Sequence, residues 1–114
     1  MKSRVPKNMG GASNMNSMIK QAQKMQDEIT TLQTDIEGRE FSATSGGGVV
    51  EVVVTGAKNI KSLTIKPEAV DPNDVEMLQD LVVSAINEAM GIVEKTTEDE
   101  MNKITGGVSL PGLF

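Results

Sequence analysis

The sequence predicts an α+β domain: a long N-terminal helix, a three-stranded antiparallel meander and a long C-terminal helix. Two observations carry this. Apolar residues recur at helical spacing over Met15–Ile36 and again over Val75–Ile104. Between them lies a β-branched segment cut into short pieces by glycine-bearing turns. With no internal repeat, the order helix, strands, helix describes a single domain over residues 13–107. Residues 1–12 are expected to form a flexible basic leader and residues 108–114 a flexible tail.

The leader holds Pro6, Gly10 and Gly11 and shows no apolar period. The first helix is expected to begin near Ser13 or Asn14, either of which suits an N-cap. Its apolar positions are Met15, Met18, Ala22, Met25, Ile29, Leu32 and Ile36. Their steps alternate three and four, which is a heptad seam about 33 Å long at 1.5 Å per residue. So narrow a stripe calls for a partner helix, and these seven residues are the candidate dimer or helix seam. Gly38 is the expected stop.

Glu40 to Thr44 alternates, placing Phe41 and Ala43 on one face. Gly46-Gly47-Gly48 then makes a permissive turn. Val49 to Thr55, broken only by Glu51, predicts a strand largely buried on both faces. After the turn at Gly56-Ala57-Lys58-Asn59, Ile60 to Lys66 alternates with Leu63 and Ile65 inward, and Pro67 ends it. Such short connections imply antiparallel neighbours.

For the last helix, Asp71 before Pro72 is the expected N-cap, with proline at the first helical position. Val75, Leu78, Val82, Ala85, Ala89 and Val93 have helical spacing, and Leu81, Ile86, Met90 and Ile92 widen the face. Gly91 is a candidate weak point or bend. Met101 and Ile104 carry the pattern on to Thr105, where Gly106-Gly107 stops it.

Composition excludes much chemistry. There is no histidine and no cysteine, so Ser-His and Cys-His nucleophiles, imidazole or thiolate metal sites and disulfides are all ruled out. Asp71-Pro72-Asn73-Asp74 lacks the alternating ligands and closing Glu of a calcium loop. The triple glycine precedes a strand, and no Gly-Lys-Ser/Thr follows it, so it is a turn and not a phosphate cradle. Neither a catalytic site, a metal, a cofactor nor a small-molecule substrate is expected. No window approaches the roughly 20 apolar residues of a membrane span, and none resembles a signal peptide, which points to the cytoplasm.

Charge is unevenly placed. The net charge is −5, yet Lys2, Arg4, Lys7, Lys20 and Lys24 all precede the first acid, Asp27. The two regions act as separate electrostatic objects, since screening sets in within about 8 Å at physiological salt. Phe41 and Phe114 are the only aromatic residues. Single-strand binders stack bases on aromatic rings, so they are disfavoured. Duplex DNA held by its phosphates needs only cations and shape.

Several segments resemble the YbaB/EbfC nucleoid-associated proteins. Met18-Ile19-Lys20-Gln21-Ala22-Gln23-Lys24-Met25-Gln26 is similar to that family's first-helix signature. The glycine turn with Val49 to Gly56 resembles its central hairpin. Asp74 to Met90 is similar to its long second helix, and Met101 to Gly107 with Leu110-Pro111-Gly112 to its ending. The resemblance implies a tweezer-like homodimer with a β core and projecting helices. It implies a DNA-binding protein of the cytoplasm and nucleoid that alters DNA conformation, with a role in nucleoid organisation or gene regulation.

On this resemblance the DNA contacts fall at Lys20 and Lys24, at Lys103 and at Lys95. Lys2, Arg4 and Lys7 join them on charge alone. The last helix also carries Glu94, Glu98, Asp99 and Glu100, so one projecting arm is acidic. The alternative is a homodimeric protein-interaction module whose seam and methionines receive a protein, with no direct DNA binding.

Overall fold

The computed structural model describes the backbone of residues 4–106 and the side-chain surroundings of residues 14–106. Helix α1 (Arg4–Glu37) leads into strands β1 (Glu40–Ser45), β2 (Val50–Thr55) and β3 (Ile60–Ile65). A short 3-10 turn at Pro67–Ala69 follows, and helix α2 (Val75–Thr105) completes the order. Lys2 and the tail 108–114 lie outside the described residues.

The strands form one antiparallel sheet in the order β1-β2-β3, the meander expected. Gly46, Gly47 and Gly48 take φ values of 61°, 74° and 100°, a left-handed run that only glycine adopts without strain. In β2 the side chains of Val50, Val52 and Val54 are buried on the face beneath α2, while Glu51 is exposed and Val53 and Thr55 are half-buried. The strand is therefore buried on one face rather than two. Val50, Val52 and Val54 pack with Ala43 of β1 and with Ala85, Ala89 and Val93 of α2. Alanine on α2 lets its backbone lie close to valines on the sheet, so the core packs closely with Phe41 as the one ring against it among the described residues.

α2 packs against β1 and β2. The same side of β3 stays open. Leu63 pairs with Val52 and Ile60 with Val54, so both share the face that α2 covers elsewhere. They are nevertheless 43% and 51% exposed, and of the two inward residues expected on β3 only Ile65 is half-buried.

Two boundaries differ from expectation. α1 starts at Arg4, well before Ser13. Pro6 falls in the first turn, where its missing N–H has no intrahelical partner to lose. The N-cap of α2 is Asp74, whose side chain accepts from the Met77 N–H at 3.1 Å. Asp71 instead accepts from the Asn73 N–H at 2.9 Å, forming an Asx turn one step upstream. Both are aspartates ahead of an apolar period, and only the register of the helix tells them apart.

α1 spans about 51 Å and α2 about 46 Å at 1.5 Å per residue. The molecule measures 88 × 24 × 16 Å with a radius of gyration of 23.7 Å. A compact chain of this length would have about 13 Å. The helices are arms, and the sheet is their base. α2 crosses the sheet and then runs back along the end of α1 in the opposite direction, bringing Glu100 and Ile104 beside Asp35 and Leu32.

Candidate nucleic-acid interface

The seam of α1 meets two environments. Ile36 is buried, and Leu32, Ile29 and Met25 are half-buried on the side where α2 lies. Every residue from Asn14 to Lys24 is exposed, including Met15, Met18 and Ala22. The distal stripe has no partner helix among the described residues.

Lys20 and Lys24 are exposed on this distal segment. Each lies two positions from Ala22, about 160° around the helix at 100° per residue. The cations therefore point away from the apolar stripe and stand one turn apart on a single face. Neither forms an ion pair among the described residues, and the i,i+4 partner available to Lys24, Glu28, is not engaged.

Elsewhere most cations are matched. Lys58 pairs with Glu94 at 3.2 Å, Lys61 with Glu40, and Lys95 with Asp99 at 3.7 Å. Arg39 sits between two carboxylates. Its Nη1 and Nη2 donate to Glu100 at 2.5 and 2.8 Å, and its Nη2 and Nε to Asp35 at 2.6 and 3.1 Å. These hydrogen bonds hold the Glu100 carboxyl below its ordinary pKa and push the guanidinium up. Lys103 occupies the last turn of α2, where a cation suits the helix dipole, and lies near enough to favour the charged form of Glu100.

Of the cations expected to contact DNA, Lys20 and Lys24 are brought together on one face. Lys103 and Lys95 lie on the other arm, Lys95 already paired. Arg4 and Lys7 belong to the first turns of α1, with side chains outside the described residues. The hollow between the arms is lined by Lys24 and Arg39 but also by Asp27, Glu28, Asp35 and Glu100. Four carboxylates against two cations make this hollow a poor surround for phosphate.

Sequence reasoning missed two basic residues. Lys66, after β3, is exposed and makes no ion pair among the described residues. Arg39 bridges the two helices, and only half of that bridge had a signal. Asp35 and Arg39 show i,i+4 spacing, whereas Glu100 is 61 positions away. Among the described residues, no cluster of three acidic side chains could hold a metal ion, and no helix is long and apolar enough to cross a membrane.

A nucleoid-associated protein of Clostridium kluyveri is 53% identical over 107 residues, 94% of each chain. One of Alkaliphilus metalliredigens is 54% identical over 106 residues, 93% of each chain. Among solved structures, the uncharacterized protein HP0035 from Helicobacter pylori superposes with a TM-score of 0.64 at 25% identity, covering 75% of this chain and 89% of that one. The sequence model of the YbaB/EbfC DNA-binding family matches residues 9–108, and the chain belongs to that family.

Proposed function

We propose that this chain is a nucleoid-associated protein that works as a homodimer, gripping duplex DNA through its phosphates and altering its conformation in the cytoplasmic nucleoid. No catalytic step is assigned to it. The observation that carries the reading is the division of the cations. Those on the sheet and at the junction of the arms are largely spent on carboxylates, while Lys20 and Lys24, on an exposed helix of the basic N-terminal segment, have no ion pair among the described residues. Lys2, Arg4 and Lys7 extend that segment, and Lys103 and Lys95 supply the second arm.

The homodimer is supported by the open side of β3. Ile60 and Leu63 continue the apolar face that α2 leaves uncovered, and Val75 and Val83 of α2 are also more than half exposed. A second copy would bury them and cap the sheet edge. The seam Met15, Met18, Ala22, Met25, Ile29, Leu32 and Ile36 offers a further helix-pairing surface at its distal end.

The test is a mobility-shift titration on duplexes of different sequence at several salt concentrations. Affinity is expected to fall steeply with salt and to vary little with sequence. The ten N-terminal cations of a dimer (Lys2, Arg4, Lys7, Lys20 and Lys24 in each copy) would contribute at most about −9 to the slope of log K against log salt. Undetectable binding at low salt would overturn the reading. A stoichiometric protein partner recovered after nuclease treatment, insensitive to Lys20 and Lys24, would favour the protein-interaction alternative.

A further inference from the structure

We infer that Arg39 is a positioning residue for DNA binding: by joining Asp35 of α1 to Glu100 of α2, it sets the splay of the arms and hence the placement of Lys20 and Lys24. This rests on the duplex-binding reading above. Among the described residues Arg39 is the one side chain with ion pairs to both helices, and its guanidinium donates through Nε, Nη1 and Nη2. A planar fork satisfied by two carboxylates holds an angle as well as a distance.

The lever is long. Lys20 lies 16 residues from Ile36, about 24 Å along the helix. A swing of about 20° at the base would move it by about 8 Å, more than two base-pair rises of 3.4 Å. Packing against α2 restrains α1 from Met25 to Ile36. Every residue from Asn14 to Lys24 is exposed, so the distal half adds no restraint of its own and Arg39 supplies the directional one. The base itself is secured without the Arg39 side chain. Ile36 is buried against Gly56, the Gly56 N–H donates to the Arg39 carbonyl at 3.0 Å, and the Arg39 N–H donates to the Ile36 carbonyl at 3.0 Å. Removing the guanidinium therefore loosens the angle and leaves the attachment. Arg39 is itself a poor phosphate ligand, since it lies between two carboxylates.

Three variants separate positioning from charge. Arg39→Gln, Glu100→Gln and the double variant, which keeps the net charge of −5, are compared for duplex affinity across salt. Each is expected to lose affinity by roughly five- to tenfold, the scale on which preorganisation acts, with the salt slope unchanged because the contacting cations remain. Glu100→Gln is decisive: it makes the protein less negative, so simple electrostatics gives tighter binding and positioning gives weaker. The arm angle is read directly from spin labels at Asn16→Cys and Asn102→Cys, diluted into unlabelled protein. The distance distribution is expected to be narrow with Arg39 present and broad in Arg39→Gln.

The inference is overturned if Glu100→Gln binds as tightly as the parent or more so. A smaller salt slope in Arg39→Gln would make Arg39 a phosphate contact and overturn it too. Unchanged label distributions would do the same. If the parent protein binds no duplex, the functional reading fails with it, and the label distances alone then decide whether Arg39 sets the splay.

Discussion

The two halves of α1 share one apolar period and have opposite fates. From Met25 to Ile36 the seam is progressively covered by α2 and the sheet, while from Met15 to Ala22 the same pattern faces solvent. The anchored half carries Asp27, Glu28, Asp35 and Glu37, whereas Lys20 and Lys24 are the charged residues between Asn14 and Gln26 on the exposed half. One helix is thus structural at one end and available to a ligand at the other. Apolar spacing alone does not distinguish the two; charge does.

The largest effect should come from breaking the anchored end. A Cβ on Gly56 would overlap the Ile36 carbonyl, which is backbone and has little freedom to shift. Gly56→Ala is expected to cost about 3 kcal/mol in chemical denaturation, the scale of overpacking a tight contact. Gly91, where an added methyl meets nothing within 4 Å, is the control. Gly91→Ala should stabilise by about 0.8 kcal/mol, the helix preference of alanine over glycine. A neutral Gly56→Ala would mean that the contact between Gly56 and the Ile36 carbonyl yields readily.

The exposed end should respond the other way. Lys20→Gln with Lys24→Gln should leave the melting temperature unchanged. It should reduce the salt slope of duplex binding by up to about 3.6 for the four cations of a dimer. Unchanged binding would return these lysines to the role of a solvated helix face.

Smaller again is the cap of α2. Asp74→Ala should cost about 1 kcal/mol, and Asp71→Ala less, since Asp71 closes a turn and caps no helix. The reverse order would restore Asp71 as the cap.

The smallest effect is the pH response of the arm junction. The Glu100 carboxyl is held below its ordinary pKa first by hydrogen bonds from Arg39. A lowered folded-state pKa contributes stability that is fully present above the unfolded value and is lost as pH falls through the folded one. The melting-temperature difference between parent and Arg39→Gln should be constant from about pH 5 to 8 and should vanish well below pH 4. A difference that already fades near pH 6 would assign the coupling elsewhere.

Local chemistry made the strands readable in the sequence. The valines of β2, the three glycines and Pro67 each impose a backbone preference that tertiary contacts then confirm. The ends of the helices were less readable. Two aspartates compete for the α2 cap, and Pro6 is compatible with either a leader or a first helical turn. What covers the seam was not readable at all, because Ile36 finds Gly56 and Arg39 finds Glu100 only after the chain has turned back. The cations at Lys20 and Lys24 were visible from charge placement. That they would have no ion pair among the described residues depended on where the carboxylates of α2 came to rest.

The slender outline has a consequence for packing along a duplex. At 88 Å, one protomer is as long as about 26 base pairs at 3.4 Å each, although the chain has only 114 residues. Under the proposed duplex binding, its footprint would be set by helix length rather than by bulk. Inserting one heptad into the distal part of α1 would lengthen the reach by about 10 Å, or three base pairs, without touching the valine core. Spacing on the nucleic acid and stability of the fold can therefore change independently.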